Sequence, residues 1–330
     1  MTKVLVIYTG GTIGMVNDPK IGALIPFTLD NLQSNFKPSQ DLNIHVQFSS
    51  LSEVKDSSNI EPNDWLLIAE KITNSYQEYD GFVVLHGTDT ISYSASALSF
   101  LFENLSKPIV FTGSQLPIGV KNSDANNNLE WAIKIAGNSK IPEVCVFFHQ
   151  HLYRANRIVK ISSEKFDAFA SFNYPFLASV QNSLSLEHHS NSVVNSLPFN
   201  CLKYIESNVL LIKIYPGIQL NFLQYLKPKG IVLETFGSGN IPLNSSLINS
   251  LKNVIANNCY VLNVTQCLQG EVNMNAYETG KVLLELGVIS GKDITTEAAL
   301  SKMMVVLGNN SDDFTIRKLL STSIRGEMSN

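Results

Sequence analysis

Cysteine is scarce in this sequence and carries no pattern. The 330 residues hold four, Cys145, Cys201, Cys259 and Cys267. None forms a CxxC pair and no spacing suits a zinc site. A chain of this length builds its core without cross-links, so reduced and mostly buried thiols are expected. Long apolar runs are missing too: no stretch reaches the roughly 20 residues a membrane-spanning helix needs. Met1-Thr2-Lys3 leads at once into Val4-Leu5-Val6-Ile7, which is too short for a signal-peptide core, and no small-residue cleavage site follows. The protein is therefore expected to stay in the cytoplasm, with no membrane partner. Charge of one sign is absent: 24 Lys and Arg face 28 Asp and Glu, for a net charge of -4. Without a basic stripe, nucleic acid is excluded as the expected partner. Neither GxGxxG nor GxSxG occurs, which disfavours a dinucleotide site and an α/β-hydrolase elbow. No repeat of solenoid length is present.

What is present reads as a packed globular chain, 44% hydrophobic and 16% charged, long enough for two domains. Short apolar runs recur at Val4 to Tyr8, Phe82 to Leu85, Ile109 to Thr112, Val144 to Phe148, Leu210 to Tyr215, Ile231 to Leu233 and Tyr260 to Val264. Most are apolar throughout, as in strands buried on both faces of a parallel sheet. Helical patterns lie between them. Pro62 suits a first helical turn, with Asp64 placed for the helix dipole. Trp65, Ala69, Ile72 and Tyr76 then fall on one face, and Ile91, Ala95, Leu98 and Phe102 make a second stripe. The expected class is α/β, with two α/β domains, each a largely parallel sheet flanked by helices. Residues 181–200 (QNSLSLEHHSNSVVNSLPFN) are Ser- and Asn-rich and aperiodic. They mark a linker, placed at 186–205, between domains over 1–185 and 206–330.

Ligands of open parallel sheets bind outside the carboxyl ends of strands. Three such ends gather the polar chemistry: Thr9-Gly10-Gly11-Thr12-Ile13-Gly14, His86-Gly87-Thr88-Asp89-Thr90 and Gly113-Ser114-Gln115. Thr12 and Thr88 offer hydroxyls, Asp89 a carboxylate, and Gly11 and Thr88 backbone donors. The helix starting near Thr90 turns its positive end toward this edge. Taken singly, TGGT is often only a turn and GTDT only an N-cap. His149 and His151 read as i, i+2 on one strand face, with no third ligand for a metal. His86 reads as a residue that orients its loop, and His188 and His189 as solvated linker residues.

Together these loops resemble the bacterial-type L-asparaginase family, most closely its cytoplasmic type I branch. The resemblance rests on Tyr8-Thr9-Gly10-Gly11-Thr12-Ile13-Gly14-Met15 and Leu85-His86-Gly87-Thr88-Asp89-Thr90. It extends to Asp56-Ser57-Ser58-Asn59, Thr112 to Pro117, Arg154-Ala155-Asn156-Arg157 leading to Lys160, and Phe166 to Ser171. In the second half Gly237 to Asn240, Thr265 to Cys267 and Thr295 to Leu300 are similar. The resemblance implies hydrolysis of L-asparagine to L-aspartate and ammonia, with Thr12 as the nucleophile that forms an acyl-enzyme. It implies Thr88, Lys160 and Asp89 as the second catalytic group. Asp56, Ser57, Ser58, Thr88 and Asp89 would hold the substrate, with Gly11 and the Thr88 backbone beside the oxyanion and Ser114 and Asn240 nearby. No metal or organic cofactor is implied, and a homodimer or homotetramer is. An amino-acid sensor without hydrolysis and a tRNA-dependent amidotransferase subunit are the rival readings. Two departures stand out. Leu24 precedes Ile25-Pro26 where many relatives carry a tyrosine, and Val305 occupies the place of another; Tyr8 and Tyr277 are the candidate stand-ins. The loop from Gly14 to Pro26 reads as a lid. Thr265 and Cys267 match an allosteric pattern of some relatives, whereas Val159 and Glu234 depart from it.

Overall fold

A computed structural model describes residues 1–18, 22–40, 42–138, 141–181, 183–186 and 197–330. Half of the expected linker, His188 and His189 included, lies outside the described residues. The chain divides into two compact units, Met1–Leu202 and Lys203–Asn330.

The first unit is organised by an eight-stranded sheet. Its order is Leu184–Leu186, Ala178–Val180, His151–Arg154, Val144–Phe148, Ile109–Thr112, Gly81–Leu85, Lys3–Gly10 and His45–Lys55. The five strands from Val144–Phe148 to His45–Lys55 pair in parallel, four of them on the apolar runs that predict a parallel sheet. The other end is antiparallel. Strand Lys3–Gly10 is buried on both faces: Val4, Val6 and Tyr8 share a core cluster with Leu129, Ala132 and Ile133 of helix Ala125–Asn138, and Leu5 and Ile7 are covered as well. Helix Pro62–Ser75 begins where Pro62 predicts, and the Asp64 carboxylate accepts the Glu61 N–H at 2.8 Å. Its stripe of Trp65, Ala69 and Ile72 is buried, as are Ile91, Ala95 and Leu98 of helix Ile91–Leu101.

His149 and His151 do not share a strand face. Strand Val144–Phe148 ends before His149, and both His149 (φ 44°) and Gln150 (φ 73°) are left-handed. Two positive-φ residues between antiparallel strands make a tight hairpin, and His151 starts the next strand, its ring stacked 4.1 Å from that of Phe176. Spacing of two residues is the same in a strand and across a two-residue turn, so the sequence pattern misleads here.

The expected lid contains a hairpin, Met15–Asp18 against Ala23–Pro26. Residues 19–21 and the Leu24 side chain lie outside the described residues. Of the four thiols, Cys145 and Cys259 are buried, Cys201 is partly covered and Cys267 is exposed.

The second unit holds a four-stranded parallel sheet in sequential order: Val209–Lys213, Gly230–Thr235, Tyr260–Thr265 and Ile289–Ser290. Helices Ser245–Ala256, Glu278–Glu285, Thr296–Asn309 and Asp313–Ser321 accompany it. Its C-terminal tail is held by charge. Lys302 and Glu327 have fully buried side chains 2.6 Å apart. Lys302 Nζ also donates to Thr322 O at 2.7 Å, and Glu327 accepts the N–H groups of Ile324 and Arg325 at 3.0 and 2.7 Å. Burial pulls the Lys302 pKa down against the opposing pull of Glu327. Removing one member of such a pair strands the other charge away from water. Lys302→Met should therefore destabilise the protein by about 3–5 kcal/mol in urea unfolding; an unchanged midpoint would show the tail is held by other means.

Candidate active site

Strand Lys3–Gly10 feeds the chain toward His45–Lys55 on one side, whereas Gly81–Leu85 feeds it toward Ile109–Thr112 on the other. Connections diverge between these two neighbours, which makes their carboxyl ends the switch point where such sheets open a crevice. The loop carrying Thr12 leaves one strand and the loop carrying Thr88 leaves the other.

Glycine lets the two loops touch. Gly11 (φ 86°) lies so close to Gly87 that a Cβ on it would sit 2.3 Å from both Gly87 N and Cα. A Cβ on Gly87 would in turn meet Ser57 Oγ at 2.4 Å. The Thr90 hydroxyl donates to Ser57 O at 2.6 Å, so the turn Asp56–Asn59 joins the same cluster. Asp56 caps that turn, its Oδ1 accepting from Ser58 N at 2.9 Å and Ser58 Oγ at 2.6 Å. Thr12, Asp56, Ser58 and Asn59 line one open cavity. Asn59 was not singled out as a site residue, although it completes the Asp-Ser-Ser-Asn run.

Lys160 joins from far along the sequence. Its Nζ donates to Thr88 Oγ1 at 2.8 Å and to Asp89 Oδ1 at 2.6 Å. Thr88 is buried, whereas the Asp89 side chain is 62% exposed and keeps an oxygen toward solvent. Two short strands hold the lysine in place: Val159–Lys160 pairs with Phe169–Ala170, and Lys160 faces Phe169 across the ladder. The turn before them is fixed by Arg154, which grips Glu143 with two bonds of 2.7 and 2.9 Å and stacks over Tyr174. Tyr153 Oη donates to Phe169 O at 3.1 Å.

Two family models cover nearly the whole chain: "Asparaginase, N-terminal" over residues 3–192 and "Glutaminase/Asparaginase C-terminal domain" over 208–320. The chain belongs to the asparaginase family. It is 38% identical to L-asparaginase 1 of Escherichia coli (strain K12), over 99% of this chain and 98% of that protein. Among solved structures, the thermostable L-asparaginase from Thermococcus kodakarensis superposes with a TM-score of 0.92 at 34% identity, covering 100% of both chains. L-asparaginase I from Vibrio cholerae gives 0.89 at 36% identity, covering 100% of this chain and 99% of that one.

The remaining asparaginase motifs fall into two kinds. Ser114 is buried and its hydroxyl donates to Leu116 O. Its loop is held by Asp124, whose carboxylate accepts the N–H groups of Gln115 and Leu116 at 3.0 and 3.1 Å. Asp124 was missed in the sequence; an acid just ahead of a helical pattern is its only local signal. Asn240 lies in the second unit, where its Oδ1 accepts from Thr279 Oγ1 at 2.7 Å and its backbone closes a turn with Phe236. Glu234 there accepts from Thr296 Oγ1 at 2.6 Å. Val305 is buried and Tyr277 is 60% exposed. Tyr8 is fully buried and donates its one hydroxyl proton to Gly14 O at 2.6 Å. Burial raises its pKa, with a smaller opposing effect from the Phe27 backbone. Tyr8 thus props the Thr12 loop from behind as a neutral phenol.

The glycine contact gives a sharp test. Gly11→Ala must push the two threonine loops apart or strain a positive-φ residue. Turnover should drop by at least about tenfold, the cost of some 1.4 kcal/mol in the barrier, whereas Gly217→Ala, which carries the same kind of strain at φ 89° but has open space around it and lies outside both loops, should change turnover little. Equal effects of the two substitutions would show that loop contact does not set activity.

Proposed function

We propose that this protein is a cytoplasmic amidohydrolase that converts L-asparagine to L-aspartate and ammonia through a Thr12 acyl-enzyme. The observation that carries the reading is Lys160 Nζ bridging Thr88 and Asp89 on a loop packed, glycine to glycine, against the loop of Thr12. The substrate in the names of its relatives, L-asparagine, supports it. In this reading Thr12 Oγ attacks the side-chain amide carbon, and the C–N bond breaks as the leaving nitrogen takes up the proton that Thr12 gave up and departs as ammonia. Water then cleaves the ester and releases aspartate. A threonine hydroxyl needs a base for this. Lys160 in its amine form takes the Thr88 proton while Thr88 takes that of Thr12, directly or through a water, and Asp89 keeps the lysine in place. Asp89 also offers its exposed oxygen to the substrate ammonium, beside Asp56, Ser57 and Ser58. Ser114 is proposed to border the site and Asn240 to border that of a neighbouring subunit, in a homodimer or homotetramer whose domains follow the two compact units.

A sensor without hydrolysis would leave the Thr88–Lys160–Asp89 group without a task, and an RNA-dependent partner would sit poorly with the acidic balance of the chain. Two experiments test the reading. Thr12→Ala and Lys160→Met should each cut kcat by several orders of magnitude while circular dichroism stays unchanged. More than about a tenth of wild-type kcat in Thr12→Ala would move the nucleophile elsewhere. Second, succinamic acid, which lacks the α-ammonium, should be a poor substrate, and Asp89→Asn should weaken use of asparagine. Equal kcat/KM on both amides would remove Asp89 from ammonium recognition.

A further inference from the structure

His86 lies directly behind the second threonine loop, and nothing in the proposed chemistry uses it. Its N–H donates to Thr112 O at 2.9 Å, which extends the sheet by one residue. The imidazole is fully buried, with its centroid 6.0 Å from that of Phe111. Nδ1 lies 2.8 Å from Gly87 O, whereas Nε2 is buried with no partner among the described residues. A carbonyl only accepts, so Nδ1 carries the proton and Nε2 is bare; the bond assigns the tautomer. Burial pulls the imidazole pKa down to about 4, against smaller opposing effects from the Gly87 backbone, Asp64 and Asp56. A neutral ring with its proton committed is neither acid nor base at neutral pH.

The consequence runs through the next peptide bond. The Gly87–Thr88 peptide is planar and trans, so the Gly87 carbonyl and the Thr88 N–H point in opposite directions. Fixing the carbonyl on the imidazole fixes the N–H on the far side. Among the described residues no acceptor takes the Thr88 N–H. The Gly87 Cα that leads into this peptide is closed in by Gly11 and Ser57, and the imidazole bond holds the carbonyl just beyond it.

We propose that His86 is a positioning residue whose Nδ1–H, by holding the Gly87 carbonyl, aims the Thr88 N–H at the amide oxygen of the substrate. This rests on the threonine-nucleophile reading above. As the Thr12 Oγ–C bond forms, the carbonyl π electrons move to that oxygen, and the aimed N–H meets the new charge. Collapse returns the electron pair and breaks the C–N bond. A donor matched to developing charge contributes more in the transition state than in the ground state, so kcat rather than KM should feel its loss.

The test compares three substitutions. In asparagine, Nδ2 stands as many bonds from Cα as Nδ1 does in histidine, so His86→Asn keeps a donor for Gly87 O. His86→Leu keeps bulk without a donor, and His86→Ala keeps neither, which guards against one variant failing to fold. With asparagine as substrate, Leu and Ala should lose kcat by roughly ten- to a hundredfold, less than outright deletion of an oxyanion donor. KM should stay within about threefold, and Asn should keep at least a third of wild-type kcat. Equal losses in all three variants, or Leu within twofold of wild type, would overturn the proposal while leaving the Thr12 reading intact. A wild-type protein that releases no ammonia from asparagine would end that reading, and this inference with it.

Discussion

The close approach of Gly11 to Gly87 is the constraint on which the rest of the site depends. Two parallel neighbouring strands lie about 4.8 Å apart, and their loops ordinarily diverge because side chains hold them off. Here each loop presents a residue without a side chain at the point of contact. Backbone then packs on backbone at the switch point, immediately before the threonine that follows each glycine. The same contact brings in the Asp56–Asn59 turn, since Gly87 also leaves room only for Ser57 Oγ. Three stretches separated by some dozens of residues are thereby fixed to one another by steric necessity rather than by any single strong bond.

Lys160 shows the complementary strategy. It arrives on a two-residue strand, too short to be stable by its own ladder, and a long lysine side chain has much rotamer freedom to lose. The surrounding motifs supply the rigidity. Arg154 closes the turn through its two bonds to Glu143, Phe169 faces the lysine across the ladder, and Tyr153 ties down the Phe169 carbonyl. The Arg154–Arg157 and Phe166–Ser171 motifs are therefore scaffolding whose effect on chemistry passes through the position of one ammonium.

The legible part of the sequence is the part where burial is two-sided. Continuous apolar runs such as Phe82 to Leu85 and Ile109 to Thr112 have no other stable use in an α/β chain, and they appear as central parallel strands. Strand His45–Lys55 escaped because it lies at the sheet edge and is half-exposed, so HVQFSSLSEVK carries polar residues throughout. The antiparallel end was hidden for another reason. The His149–Gln150 turn uses two left-handed non-glycine residues, and neither histidine nor glutamine announces a turn. Within the proposed site, Thr12, Thr88, Asp89 and Lys160 were singled out through motif order, whereas Asp124 and the Nδ1 bond of His86 depend on distances that no local pattern encodes.

The missing tyrosines narrow the proton path in the proposed reaction. Val305 is aliphatic and buried, so it supplies neither donor nor acceptor. Tyr8 is near in sequence, but its proton is committed to Gly14 O, and burial raises the cost of its phenolate. A buried phenol in that state braces a loop; it does not accept a proton from a neighbour. The base for Thr12 must then come from a polar group that shares its crevice. Thr88 lies on the loop that the glycine contact packs against that of Thr12, with its oxygen 2.8 Å from Lys160 Nζ. A hydroxyl can donate its own proton to an amine while its lone pair receives another. Thr88 is thus suited to relay a proton between Thr12 and Lys160, a role open to a hydroxyl and closed to a side chain that only donates or only accepts.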